Sequence, residues 1–356
     1  MLWFIFLCII GVIVAVAYIV VNEKVERVQW LAAGDSSGSD MKWSMDGKNW
    51  NDSTGVPSNF AVGRDVVFNG NFAVAVGGYE TDTNENVLYS EDGGKSWNVS
   101  TGDKFKYLSK SVDVGEDSNG NTLYVAGGKD SAVSDGVVLY SSNGKEWTKI
   151  NVSPIAGSEV WSVYYDSKLK RWFFGGTDRI FFSDNPTDLS NFTEQTGTAI
   201  PAVYSFTSIN YDGTVYIFAL PWASGAPSNN WRSTDGGVTW IDQGNVFDSY
   251  GSALAVGEKN TSGVPLLVAG GETSGEVDKS LRYSEDLGGT WNDTTGSNLT
   301  HVYGLAYHKK KKLWVATGDG TVPVNFVWSK DGKTWNSSDI TGGFSSYGYA
   351  VTSRFS

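Results

Sequence analysis

The chain has 356 residues, a net charge of −12, 19% charged and 14% aromatic residues, 43 glycines and 15 tryptophans. An acidic chain of this kind excludes the basic surface on which nucleic-acid binding depends. One cysteine, Cys8, excludes a disulfide framework, and the two histidines, His301 and His308, have no third ligand at zinc spacing. Abundant glycine and aromatics with few charges suit an all-β protein.

Leu2 to Val21 is apolar without a charge, long enough to cross a bilayer as a helix. A cleaved signal peptide is the alternative, with Ala15-Val16-Ala17 as its small-residue site, but no basic segment precedes the run and it continues through Tyr18 to Val21. Residues 1–23 are therefore expected to form one transmembrane anchor and residues 24–356 a single folded domain. Lys24 and Arg27 follow the span, which taken alone would place the domain in the cytosol. Asn-x-Ser/Thr sequons favour the extracytoplasmic side. They stand at Asn51, Asn98, Asn151, Asn191, Asn260, Asn292, Asn298 and Asn336.

Beyond the anchor, Val28 to Ala32 reads as a strand, and a motif follows at Ser44-Met45-Asp46-Gly47 that ends on Trp50. It recurs at Ser90/Asp92/Trp97, Ser141/Asn143/Trp147, Ser233/Asp235/Trp240, Ser284/Asp286/Trp291 and Ser329/Asp331/Trp335. A degenerate copy lies at Ser183-Asp184-Asn185-Pro186. Steps in the forties to low fifties are the period of a propeller blade, a four-stranded sheet that cannot bury its faces alone. Seven copies predict a seven-bladed β-propeller of four-stranded antiparallel blades. In the second blade the strands read Asp65 to Phe68 and Phe72 to Val76 around an Asn69-Gly70-Asn71 turn, then Val87 to Tyr89. The first blade lacks its innermost strand. Tyr347-Gly348-Tyr349-Ala350-Val351 matches the inner-strand segments at Tyr250 and Tyr303 and is expected to supply it, closing the ring.

The motif is the Asp-box, or BNR repeat, and residues 25–356 resemble the Asp-box β-propellers, a superfamily of sialidases, sortilin-type receptors, a photosystem II assembly factor and some glucan hydrolases. The box itself is structural. Asp46, Asp92, Asn143, Asp235, Asp286 and Asp331 are expected to accept turn N–H bonds, glycines to supply positive φ, and each Trp to wedge between sheets. The sialidase members resemble one another in an Arg-Ile-Pro motif and an arginine clamp. Neither carries over, because Arg179-Ile180 is followed by Phe181 and the remaining arginines are scattered, Arg64 lying just before a strand.

The loops between second and third strands form one rim, where ligand sites of this superfamily usually lie. It carries Glu80, Asp82, Asp130, Asp178, Glu272 and Asp319, with Trp222 nearby, and is the candidate binding rim. Two readings stay open. The carboxylates could hold Ca²⁺ or simply keep the surface solvated. Tyr107, Trp161, Tyr204, Trp222, Tyr250, Tyr303 and Tyr347 either line a groove or pack between blades. The opposite rim carries Lys309, Lys310, Lys311 and Lys312, expected to face the membrane. Asn51, Asn98, Asn292 and Asn336 follow a box Trp on outermost strands and are the glycosylation candidates. The expectation is a membrane-anchored, non-catalytic module that binds a protein or glycan. A glycoside hydrolase acting on a neutral or unknown glycan is the second reading and a membrane-linked component of a virus particle the third. No cofactor is expected.

Overall fold

The computed structural model describes residues 27–355 except 61, 79–84, 131–135, 151–157, 224–226, 261, 273–278 and 321–324. The expected anchor lies outside the described residues, and no helix within them is long and apolar enough to cross a membrane.

Seven antiparallel sheets follow one another along the chain. Their innermost strands are Gly348–Ser353, Gly63–Asn69, Leu108–Glu116, Ser162–Asp166, Val203–Tyr211, Gly251–Lys259 and Leu299–His308. Each neighbours the next, and the last neighbours the first, around a central channel. In blade one Gly348–Ser353 pairs with Trp30–Gly34, so the C-terminus supplies the missing inner strand as the sequence implied. Two blades depart from four strands. Blade three gains Thr101–Gly102 in parallel, and the outermost element of blade seven is a single bridge between Trp328 and Asn336.

Second strands are buried on both faces. Trp30–Gly34 and Pro265–Gly271 are buried at every residue, because each sheet face packs on a neighbouring blade. Seven hydrophobic clusters result, one between each pair of blades. The box tryptophans wedge into them: Trp97 between blades one and two, Trp335 between six and seven, Trp50 between seven and one.

The boxes are turns that satisfy themselves. Ser44 Oγ donates to Asp46 (3.0 Å) and accepts from Gly47 N–H, while Asp46 accepts from the N–H groups of Lys48 and Asn49. Ser90/Asp92, Ser141/Asn143, Ser233/Asp235, Ser284/Asp286 and Ser329/Asp331 repeat the pattern. Desolvation alone would raise these carboxyls. The turn donors outweigh it and hold Asp46, Asp92, Asp235, Asp286 and Asp331 below the usual carboxylate range. In the degenerate box Asn185 takes over the turn, and Asp184 pairs with Arg171 at 2.6 Å.

A second device, not read from the sequence, links neighbouring blades. After the outermost strand a threonine exchanges backbone bonds with the next box. Thr54 N–H donates to Lys95 O and Trp97 N–H to Thr54 O, both at 2.9 Å. Thr101, Thr196, Thr295 and Thr341 donate in the same way to Lys145, Val238, Lys333 and Lys48. The Thr341 pair lies between blades seven and one, so the ring is closed twice.

Candidate functional site at the mouth of the channel

The inner strands enter the disc at the rim of the second-to-third loops, and there they share an irregularity. In six blades one inner-strand residue is squeezed out of register against the second strand: Tyr349, Arg64, Lys110, Tyr204, Ser252 and Tyr303. Such a bulge re-aims a side chain. Trp161, just ahead of Ser162–Asp166, completes the series in blade four. All seven line one cavity of about 410 Å³. The opposing second strand must give room for the displaced backbone. A Cβ at Gly77 would run into the carbonyl of Val62, and one at Gly318 into that of His301, far inside van der Waals contact. The Gly-Gly pairs that end second strands, Gly77-Gly78, Gly127-Gly128 and Gly270-Gly271, are thus the sequence signal of the bulge, and the sequence reading passed over them.

Aromatic rings run along the mouth from blade four to blade one. Trp161 stacks on Tyr204 (4.8 Å), Tyr204 on Trp222 (4.8 Å), and Trp222 on Tyr250 (4.1 Å). His301 stacks on Tyr303 at 4.0 Å, and Tyr303 leans on Tyr349 at 5.2 Å. Of the aromatics singled out, Trp161, Tyr204, Trp222 and Tyr303 line the cavity, and Tyr250 stacks behind them on Trp222. They are only partly buried. Tyr347 adjoins Tyr349 at 6.0 Å, whereas Tyr107 stands apart with Lys129 5.1 Å over its ring. Burial pushes the Tyr204 and Tyr303 hydroxyls far above their ordinary range, so both remain protonated donors.

Blades two and three interrupt the arc with cations. Arg64 lies 4.4 Å over Tyr349, and Lys110 lies 4.1 Å over Trp161. Lys110 and Lys129 share the buried carboxylate of Glu159, each at 3.4 Å. Desolvation brings the Lys110 ammonium down to about 8. The placement of Arg64 corrects the sequence reading, which set it aside as a residue before a strand. Neither Lys110 nor the bulge that exposes it was foreseen.

One constellation has the order of a hydrolytic triad. Ser252 Oγ is 2.7 Å from His301 Nε2, and His301 Nδ1 is 3.9 Å from Glu272. Two facts speak against catalysis. The histidine–carboxylate separation exceeds a hydrogen bond, and burial drops His301 to about 3, far from the value a general base needs near neutrality. Among the described residues Asp65 is the one carboxylate lining the cavity. It accepts bonds from Ser111 Oγ and from the Val112 and Val66 N–H groups, joining one inner strand to the next, and burial still raises it to about 6.

The predicted rim divides. Glu80 and Asp82 lie outside the described residues. Asp130 pairs with Lys149 and Asp178 with Arg179 at 2.8 Å, so neither is a free carboxylate. Glu272 and Asp319 flank His301, and Trp222 belongs to the arc. Among the described residues no three His, Cys, Asp or Glu groups could hold a metal ion together, which leaves the Ca²⁺ expectation without a site there. Lys309 to Lys312 form an exposed turn on the far rim. Asn51, Asn98, Asn292 and Asn336 are all exposed.

Neither protein-family models nor the sequences of curated proteins give a match to this chain. Solved structures do. "YCF48 bound to D1 peptide" is similar with a TM-score of 0.51 at 16% identity, over 78% of this chain and 82% of that one. A GH74 xyloglucanase from Xanthomonas campestris gives 0.50 at 15% identity over 86% of this chain, and an ancestral GH74 enzyme 0.55 at 13% over 77%. The chain spans 43% and 38% of those two enzymes. Similarity at this level establishes the class of fold, a seven-bladed propeller like those of Ycf48 and GH74 proteins.

Proposed function

We propose that this chain is a membrane-anchored, non-catalytic propeller that receives part of a protein partner at the mouth of its channel. The observation that carries the reading is the ring of bulged positions. They are equivalent by repeat yet hold Tyr, Arg, Lys, Trp, Tyr, Ser and Tyr around one cavity, all but Ser252 partly exposed. A packing role would favour one residue type repeated, as at the boxes. Concave, aromatic-rich sites with a few polar groups are what binding surfaces use. The Ycf48 structure holds a D1 peptide, so a propeller of this fold can take a polypeptide. The glycosidase reading finds no support in the cavity. Hydrolysis needs two facing carboxylates, and Asp65 is engaged in joining strands.

The anchor would set the disc's orientation. The described chain begins beside the basic turn, with Gln29 Oε1 3.0 Å from His308 Nε2. Lys309 N–H bonds Phe355 O, and Lys310 lies 3.6 Å over the Phe355 ring. Chain entry, C-terminus and four exposed lysines share one corner, which in this reading faces the bilayer and leaves the mouth pointing away, on the extracytoplasmic side.

The test is site-specific photo-crosslinking of the full chain in its native membrane. A crosslinker at Tyr303 should trap one defined protein, and a crosslinker at Val238, on the box rim, should not. Equal capture at both positions, or none at Tyr303, defeats the reading, as does turnover of a xyloglucan oligosaccharide that Asp65→Asn abolishes.

A further inference from the structure

Charges of opposite sign border the mouth on two sides: cations that line the cavity, and carboxylates beside its lining that flank His301. On one side Arg64 and Lys110 occupy neighbouring ring positions, with Lys129 behind them. No ion pair of Arg64 occurs among the described residues, and its Nε is buried without an acceptor. Beside Lys110, Trp161 Nε1 is likewise buried without an acceptor. Lys110 and Lys129 divide one carboxylate between two ammonium groups. Arg64 Nε and Trp161 Nε1 are donors on this wall still open to an acceptor, beside the Lys110 ammonium. A buried donor without an acceptor is destabilising, so an incoming oxygen anion would relieve a standing penalty.

The other wall is acidic. Glu272 accepts from Ser249 and lies near His301, whose strand partner is Asp319. Both carboxylates act on the Tyr303 hydroxyl, and Asp35 acts on that of Tyr349. His301, at about 3, brings no positive charge to offset them at neutral pH. A uniformly anionic chain, such as a sulfated glycan, would satisfy the first wall and be repelled by the second. A neutral glycan would leave both walls unmatched.

We infer that the mouth selects a polypeptide segment carrying opposite charges: an acidic side chain seated against Arg64 and Lys110, and a basic side chain directed to Glu272 and Asp319. The inference rests on the reading of the mouth as a protein-docking site and adds to it the chemistry of the docked segment.

Binding of nonapeptides to the full chain in lipid nanodiscs tests it. The peptides carry one Glu and one Arg at every spacing in a Gly-Ser-Tyr background, beside Glu-only, Arg-only and uncharged controls, with a heparin oligosaccharide as the polyanion. Zwitterionic peptides at a preferred spacing are expected to bind at least tenfold more tightly than every control. Arg64→Gln and Lys110→Gln should each remove that advantage while leaving Arg-only binding unchanged, and Glu272→Gln with Asp319→Asn should do the converse. Arg64→Lys and Lys110→Arg, with the parent's melting curve, should keep at least a third of the affinity, which separates charge recognition from damage to the fold. Peptide binding indifferent to charge, no peptide binding, a preference that survives both Gln variants, or tighter binding of the heparin oligosaccharide than of any peptide overturns the inference. If the Tyr303 crosslinker still traps a protein in that event, the docking reading stands and only the charge pattern falls. If it traps nothing, docking itself has failed.

Discussion

The two ends of the channel use the same repeat in opposite ways. On the box rim, six turns carry the same Ser, Asp or Asn, Gly and Trp, and in each the serine hydroxyl bonds the box Asp or Asn of its own turn, although the indole N–H groups of Trp50, Trp97, Trp291 and Trp335 have no acceptor. At the mouth, seven equivalent positions carry five residue types, and at least two N–H groups there have no acceptor. Repetition accompanies a turn whose side chains bond one another, and divergence accompanies side chains aimed into one shared cavity. In a repeat protein the fold is held by what recurs, and recognition is to be sought where equivalent positions stop agreeing.

The largest test of this contrast removes what both ends need. Deleting residues 345–356 strips blade one of its inner strand and exposes the edge of Trp30–Gly34. Loss of a cooperative melt and of the monomer peak in size-exclusion chromatography is expected. A truncated disc that melts like the parent would mean the Thr341 link closes the ring by itself.

Next come single changes at the two ends. Gly318→Ala forces the His301 carbonyl out of the bulge and should cost about 3 kcal/mol, in the range of strained-backbone substitutions. Asp331→Ala leaves the turn N–H groups of Lys333 and Thr334 without their acceptor and should cost about 1–2 kcal/mol while leaving peptide binding intact. Lys110→Gln should do the reverse, changing binding with little change in urea midpoint. Urea titration beside peptide binding checks all three, and a box variant that weakened binding as much as a mouth variant would erase the distinction.

The pH response should also divide. His301 is held at about 3, below its unfolded value, so the folded state binds fewer protons and stability is lost as pH falls from about 6.5 toward 3. Asp65 and Asp113 are raised by burial to about 6 and about 7. Their contribution has the opposite sign and weakens stability as pH rises from about 4 to 7. The two trends overlap and partly cancel in the parent. His301→Gln should reduce the loss on acidification, part of which His308, lowered by burial to about 4, would keep, and Asp113→Asn should reduce the loss as pH rises, part of which Asp65 would keep. Both are read from denaturant midpoints between pH 4 and 7. Parallel curves for parent and variants would show that these groups are not held as the structure has them.

The smallest effect belongs to the basic corner. Changing Lys309, Lys310, Lys311 and Lys312 to Ser should leave the melting temperature unchanged and lower binding to anionic vesicles at low salt, each lysine contributing about 1 kcal/mol near the surface. Undiminished vesicle binding by that variant would make the lysines solubilising only.

How much was legible from residues alone follows the same division. The Asp-box is local chemistry repeated in register, so blade number, ring closure by Tyr347 to Val351 and the structural role of Asp46 or Asp331 could be read from spacing. The mouth could not be read in that way. Arg64 and Lys110 reach the channel only because the register slips by one residue, and a slip depends on the pairing partner rather than on the residue itself. The acidic rim was counted correctly as composition, yet composition does not reveal that Asp130 and Asp178 are neutralised by Lys149 and Arg179. The Gly-Gly pairs were the available clue. They look like turn residues until the carbonyl that crowds them is known.

Closure by the last strand also sets a clock. Arg354 bonds Val28 across 326 residues of sequence, and Trp30–Gly34 has no inner neighbour until Gly348–Ser353 arrives. At about 5–20 residues per second of synthesis, that edge waits roughly 16–65 s after it is made. For that time the nascent chain is an open ribbon of blades with one of its most buried strands uncovered on one edge. Translation speed, and whatever shields Trp30–Gly34 in the interval, would then govern the yield of closed rings as much as their final stability does.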